Sequence, residues 1–163
     1  MLPLIRTVTY AAVFIGFFLV FLPARLLERS GVIRPAVIGV VEIAAATVTV
    51  LGAALALWCV LTFALVGRGT PAPFDPPRRL IRSGPYGLVR NPMYIGAGLA
   101  LAGAALFYRS LPLLGYTVGF FLITHVFVLV YEEPTLKRLF GDEYHEYLKR
   151  VQRWWPTTTR QQR

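Results

Sequence analysis

The stretch that decides the fold is MYIGAGLALAGAALFYRSLPLLGYTVGFFLITHVFVLV, residues 93–130. It contains two apolar blocks, residues 93–107 and 111–130, joined by a Tyr-Arg-Ser connection. A helix needs about 20 apolar residues to cross the roughly 30 Å of hydrocarbon in a bilayer. The second block has that length, and the first approaches it if Tyr108 and Arg109 extend it. Because the connection is so short, we expect a tight antiparallel hairpin of two transmembrane helices.

Two further apolar blocks precede the hairpin, at about residues 5–22 and at residues 37–66. Of the 163 residues 56% are hydrophobic and 15% are charged, whereas an ordinary soluble domain has about 45–50% apolar and about 25% charged residues. Arg6 precedes the first block, as in a signal peptide, but no small-residue cleavage site follows, so we expect a retained helix. The four blocks predict an all-α polytopic membrane protein with about four transmembrane helices.

The blocks divide what we interpret as a single membrane domain, residues 1–163, into four parts. We expect two N-terminal transmembrane helices in residues 1–66, a connecting loop in 67–92, the hairpin in 93–131, and a C-terminal helix and tail in 132–163. With four spans, the N-terminal segment, the loop and the tail share one face, which then carries 13 of the 17 Lys and Arg residues. The positive-inside rule therefore predicts that both termini are cytoplasmic.

The net charge of +9 would favour nucleic acid as a partner if the protein were soluble. Here the basic residues lie between apolar blocks, where they set the topology and contact anionic headgroups. We therefore expect membrane lipids as partners and no nucleic acid. Cys59 is the only cysteine, and His125 and His145 are the only histidines, so we expect neither an internal disulfide nor a metal site. The sequence leaves the oligomeric state open.

The predicted hairpin brings two polar motifs to the same membrane face. The third helix starts with the segment 90–94, Arg-Asn-Pro-Met-Tyr, and the fourth ends at Glu132-Glu133. Asn-Pro is also simply a good helix start, and the glutamates could be a helix emerging into water. However, acidic residues are unfavourable at a helix C-terminus. The pair therefore indicates a cationic partner, which is either Arg90 or a ligand.

Small residues indicate where the helices approach closely. Gly96, Ala100 and Gly103 share one face of the third helix, and Gly115 and Gly119 lie on the fourth. Such faces let backbones come together in lipid, so we expect them to pack within the hairpin, although glycine is also simply tolerated in membrane helices.

The C-terminal part predicts an amphipathic helix on the cytoplasmic surface. Asp142 can cap it, and its apolar residues recur at helical spacing. These residues are Tyr144, Tyr147, Leu148 and Val151. Trp154-Trp155 resembles an interfacial anchor. We expect this helix to cover the polar end of the hairpin or, alternatively, to serve only as a membrane anchor.

An ordered series of motifs now resembles a known family. The series comprises Ser83-Gly84-Pro85-Tyr86, Val89-Arg90-Asn91-Pro92-Met93-Tyr94, Gly96, Glu132-Glu133, Leu136, Phe140-Gly141, Tyr144, Tyr147, Val151 and Pro156. It is similar to the membrane methyltransferases that include isoprenylcysteine carboxyl methyltransferase and the phospholipid N-methyltransferases. The similarity covers about residues 78–156.

The resemblance implies an S-adenosylmethionine site in the cytoplasmic half of the hairpin. In the family an Arg-His-Pro stretch, the glycines after it and a Glu-Glu pair line this site. Transferred to this chain, the resemblance implies that the cofactor is bound by Arg90, Asn91, Pro92, Tyr94, Gly96, Gly98, Glu132 and Glu133. We add Tyr86 to the cofactor-binding residues, because its aromatic ring could flank the adenine. Asn91 stands where the family has histidine. The carboxyl methyltransferases also carry an arginine before the glutamate pair, where this chain has Tyr131.

Elementary chemistry agrees with this assignment. A helix N-terminus with Arg90 suits the cofactor carboxylate, and glycine at position 96 lets a ligand approach the backbone. Gly98 lies about 200° around an ideal helix from Gly96, so the two cannot face one ligand unless the helix is distorted. A carboxylate acceptor needs no base, whereas an amine acceptor must lose a proton, for which Glu132 or Glu133 is the nearest group.

We therefore expect a methyltransferase that uses S-adenosylmethionine and acts on a lipophilic or lipid-modified substrate, with Arg90, Glu132 and Glu133 as catalytic residues. The resemblance is strongest to isoprenylcysteine carboxyl O-methyltransferase. Three alternatives stay open: a phospholipid N-methyltransferase, a sterol-reductase-like NADPH enzyme, and a non-enzymatic four-helix transporter that uses Glu42.

Overall fold

The computed structural model describes residues 9–10, 12–32, 35, 37–67 and 77–156. All regular elements in these ranges are helices, and the β-type pairing there is one isolated parallel bridge between Val89 and Gln152. The predicted all-α membrane architecture is confirmed. The start of the first predicted block, including Arg6, lies outside the described residues.

Five α-helices follow one another along the described chain. They are α1 (Leu22–Arg29), α2 (Val40–Thr62), α3 (Pro92–Phe107), α4 (Leu111–Phe127) and α5 (Glu133–Arg150). Three π-helical segments adjoin them: Gly16–Phe21 before α1, Phe63–Gly67 after α2, and Val128–Glu132 after α4. A short 3₁₀-helix, Gly84–Gly87, precedes α3.

Two helical stretches of the described chain have the length and polarity of membrane spans. Two continuous helical stretches, Val40–Gly67 and Leu111–Arg150, are long and apolar enough to cross a bilayer. The apolar helix α3 is shorter, with 16 residues and thus about 24 Å at 1.5 Å per residue. Large apolar side chains such as Leu57 and Ile123 point outward, 56% and 71% exposed, as expected for helices solvated by lipid.

The closest helix packing joins α2 and α3 and runs through glycines. A Cβ atom on Gly96 would lie 2.7 Å from the Ala56 backbone nitrogen, and one on Gly103 would lie 2.6 Å from that of Thr49. By contrast, a Cβ on Gly115 or Gly119 would meet no atom within 4 Å among the described residues. The expectation that these glycines pack within the hairpin was wrong. The small face of α3 is used against α2, where the two backbones approach closely.

The predicted hairpin of α3 and α4 is present, with a tight turn. Arg109 takes the left-handed conformation (φ 49°), and the Ser110 hydroxyl accepts a hydrogen bond from the Leu113 amide at 3.3 Å to cap α4. The Arg109 side chain donates to buried Glu42 from Nε (3.1 Å) and Nη2 (2.6 Å). Glu42 also accepts from the Gly39 amide at the start of α2. This ion pair ties α2 to the turn of the hairpin.

The C-terminal helix folds back over the opposite end of the hairpin. Helix α5 breaks at Gly141 (φ 47°, ψ −122°), and its second half begins where Asp142 was predicted to cap it. Its buried residues Tyr144 and Tyr147 pack with Val151, and the Tyr147 hydroxyl donates to the Tyr86 carbonyl at 2.7 Å. The connecting loop and the C-terminal helix are thereby joined above the start of α3.

Candidate active site

A cavity lies where α3 begins and α4 ends, covered by the loop before α3 and by α5. Its space, including the open mouth and the solvent in it, measures ≈ 810 Å³. The polar and aromatic lining residues are Tyr86, Arg90, Asn91, Tyr94, Tyr131, Glu132, Glu133, Thr135, Tyr144 and Tyr147. Apolar residues complete it: Phe63, Pro77, Leu80, Ile81, Met93, Phe127 and Leu136.

The two glutamates at the end of α4 have different partners. Glu133 accepts from Arg90 Nη1 at 2.9 Å and from Arg153 Nε and Nη2 at 2.7 and 2.9 Å. Glu132 accepts from the Tyr94 hydroxyl at 3.2 Å. Glu133 is therefore neutralised by two guanidinium groups, whereas the described residues show no cation paired with Glu132.

A local irregularity of the helix places both glutamates at the cavity. Tyr131, Glu132 and Glu133 line it although they are consecutive, and successive side chains of an ideal α-helix diverge by about 100°. The π-helical segment Val128–Glu132 lies here. Such segments are frequent at functional sites, because their wider turn changes the direction of the side chains.

Two buried polar atoms at the cavity lack a partner. The Tyr86 hydroxyl and the Arg90 Nε make no hydrogen bond of ordinary geometry among the described residues, although the Cys59 thiol lies near the Tyr86 hydroxyl and the Tyr144 hydroxyl near the Arg90 guanidinium. Burial raises the pKa of Tyr86 well above its usual range, so its hydroxyl stays protonated and can donate. An unsatisfied buried donor costs about 1–3 kcal/mol. The two donors therefore fit a ligand that brings oxygen acceptors.

Six of the nine residues predicted to bind the cofactor line this cavity: Tyr86, Arg90, Asn91, Tyr94, Glu132 and Glu133. The other three lie elsewhere. Pro92 is buried at the first turn of α3, and Gly96 faces α2. Gly98 faces α4, where a Cβ added to it would lie 3.9 Å from the Phe121 ring.

Sequence reasoning missed Arg153, which it treated only as a basic residue of the tail. It also did not relate His125 to Trp154, whose indole donates to His125 Nδ1 at 3.1 Å. His125 therefore accepts a hydrogen bond from Trp154. Trp154 packs against α4, where its ring centroid lies 4.9 Å from that of Phe121. Contacts between residues 20 or more positions apart leave no periodic pattern that could have revealed them.

Comparison with known proteins identifies the family. The family model for phospholipid methyltransferases matches residues 40–143, which is more than half of the chain. The chain belongs to the phospholipid methyltransferase family. Membership confirms the predicted resemblance and makes this protein a membrane methyltransferase with a lipid substrate. No curated protein and no solved structure matches the chain.

The part matched by the phospholipid methyltransferase family contains most of the cavity. It includes α2, α3 and α4 together with Arg90, Glu132 and Glu133. It ends at residue 143, just before Tyr144, Tyr147 and the tail that carries Arg153.

Proposed function

We propose that this phospholipid methyltransferase family member uses S-adenosylmethionine to methylate an amine in the headgroup of a membrane phospholipid. The charge balance of the cavity carries this proposal. Arg90 is the one lining cation among the described residues, and it is already paired with Glu133. Glu132 faces the same space with a tyrosine hydroxyl as its partner. A half-buried carboxylate without a counter-charge, such as Glu132, favours a cationic or amine ligand.

The donors of the cavity suit the cofactor. The unpartnered Tyr86 hydroxyl and Arg90 Nε can donate to its carboxylate or ribose oxygens, and the N-terminal end of α3 adds the positive end of a helix dipole. Bound S-adenosylmethionine supplies an electrophilic methyl group on a positively charged sulfur. Pro92, Gly96 and Gly98 lie outside the cavity and are not part of the proposed site.

Glu132 is the proposed base. A protonated amine cannot act as a nucleophile, so the ammonium group must first give up a proton, and Glu132 is the lining carboxylate that is not engaged by arginine. The apolar residues Phe127 and Leu136 line the same cavity and make its surroundings less polar than water. In such surroundings the neutral amine and the protonated carboxyl group are favoured over the charged pair.

The acceptor is better matched by an amine than by a carboxylate. Tyr131 lines the cavity at the position where the carboxyl methyltransferases carry arginine, so a carboxylate substrate would lack a counter-charge. Arg78 and Arg79 are exposed between the lining residues Pro77 and Leu80. Their guanidinium groups suit the phosphate of a phospholipid whose amine reaches the cavity.

The charge distribution supports a cytoplasmic site. The cavity end carries Arg78, Arg79 and Arg82 on its loop and further basic residues on α5, whereas Arg109 lies at the other end of the hairpin. The positive-inside rule then puts the cavity and the C-terminus on the cytoplasmic side.

Labelled methyl transfer tests the proposal. The purified chain in liposomes receives methyl-labelled S-adenosylmethionine with either phosphatidylethanolamine or a prenylated cysteine in the membrane. We expect label in the phosphatidylethanolamine headgroup. Label in the prenylcysteine carboxylate alone would contradict an amine acceptor, and label in neither would contradict the activity. The exposed Glu146 provides a matched control, because Glu146→Gln should retain the activity that Glu132→Gln loses.

A further inference from the structure

Residues 151–156 form a strap across the cavity end of the hairpin. The Gln152 carbonyl accepts from the Arg90 amide at 2.9 Å, and the Arg153 carbonyl accepts from Asn91 Nδ2 at 3.3 Å. Trp154 binds His125 of α4. The strap is therefore fixed both to the residues that precede α3 and to the side of α4.

The Arg153 side chain approaches Glu133 from outside the cavity. Arg153 is absent from the residues that line the cavity, whereas Glu133 and Arg90 line it. Its guanidinium group occupies both carboxylate oxygens of Glu133, Oε1 through Nε and Oε2 through Nη2. Arg90 shares Oε1 through Nη1 only. Arg90 thus pairs with Glu133 through a single nitrogen, and its Nε is left without an acceptor among the described residues.

We propose that Arg153 is a positioning residue of the cofactor site, which keeps Arg90 Nε available to the ligand by occupying Glu133 Oε2. An arginine and a carboxylate prefer to pair through two parallel hydrogen bonds. Without Arg153, Oε2 is free, and Glu133 can rotate to take both Nε and an Nη of Arg90. The ligand then loses a donor. This inference rests on the proposed function.

Binding of S-adenosylhomocysteine to the full chain in lipid nanodiscs, measured by isothermal titration, tests the inference. Arg153→Gln should weaken binding by roughly tenfold or more, the range expected for a lost charged hydrogen bond. The matched control is Arg150→Gln, because Arg150 lies three residues earlier and its side chain is 79% exposed. The control should bind like the wild type.

A double-mutant cycle shows whether Arg153 acts through Glu133. Once Glu133→Gln is present, adding Arg153→Gln should cause no further loss of affinity. In turnover, Arg153→Gln should raise the KM for S-adenosylmethionine and leave kcat at saturation nearly unchanged, whereas a general loss of folding would lower kcat as well.

Several outcomes overturn the inference. Wild-type affinity in Arg153→Gln contradicts it, and so do fully additive losses in the cycle. If Arg153→Gln does not fold, Arg153→Lys replaces it: an ammonium group cannot span both oxygens, so weaker binding supports the inference and unchanged binding contradicts it. If the wild-type chain binds no S-adenosylhomocysteine, the proposed function itself is contradicted. If the wild type binds it and Arg153→Gln binds it equally well, only the role of Arg153 is contradicted.

Discussion

Arg90 and Glu133 are 43 positions apart in sequence, and their side chains form an ion pair with 2.9 Å between Nη1 and Oε1. The two residues meet because α3 begins and α4 ends at the same end of the hairpin. The pair decides between the two partners that the sequence left open for the glutamates. Glu133 has Arg90 as a cationic partner, whereas the partner of Glu132 is the Tyr94 hydroxyl.

The Arg90 guanidinium is expected to be required for cofactor binding. Arg90→Ala removes the unpartnered Nε donor and should weaken S-adenosylhomocysteine binding by about tenfold or more, as measured by isothermal titration. Arg82→Ala is the control, since Arg82 pairs with Glu143 on the surface with half-exposed side chains. Equal affinities of the two variants would contradict the assignment.

Substitutions of Glu132 and Glu133 should have different effects on turnover and on cofactor binding. Glu132→Gln removes the proposed base and should lower kcat for an amine-bearing phospholipid by roughly 10²–10⁴-fold, while S-adenosylhomocysteine still binds. Glu133→Gln removes the negative charge that pairs with both arginines and should chiefly weaken cofactor binding. A Glu132→Gln variant with wild-type kcat would exclude it as the base.

The glycine contacts predict which face of the hairpin tolerates larger residues. Gly96→Val inserts a side chain where a Cβ already lies 2.7 Å from the Ala56 backbone, and it should destabilise the chain by about 1–3 kcal/mol. Gly119→Val meets open space among the described residues and should change little. Thermal unfolding in detergent measures both. Similar melting temperatures for the two variants would contradict the packing of α3 on α2.

Glu42 should be structural. Glu42→Gln weakens its contacts with Arg109 and Gly39 at the end of α2 far from the cavity, so the melting temperature should fall. S-adenosylhomocysteine affinity should not change, because Glu42 does not line the cavity. Substrate-dependent proton flux that Glu42→Gln abolishes would instead support a transporter.

The sequence predicted the parts of this architecture that depend on polarity and chain length. The apolar blocks specified the hairpin, because a three-residue connection forces its helices to be antiparallel neighbours. Because the helices are antiparallel, the sequence also predicted that Arg90 and the glutamate pair lie close together. The helical spacing of Tyr144, Tyr147 and Val151 likewise predicted their common burial.

Other features depend on which surfaces meet in three dimensions. The small face of α3 could pack on either neighbour, and periodicity does not distinguish α2 from α4. Glu132 and Glu133 both line the cavity because of a π-helical turn, which the local sequence does not signal. Arg153 reaches Glu133 only because the strap crosses the hairpin.

The structure of the chain with bound S-adenosylhomocysteine tests the central claim most directly. We predict that the ligand lies between the start of α3 and the end of α4, with an oxygen within hydrogen-bond distance of Arg90 Nε or the Tyr86 hydroxyl. A ligand bound outside this cavity, or the cavity closed by packed side chains in the bound state, would contradict the claim.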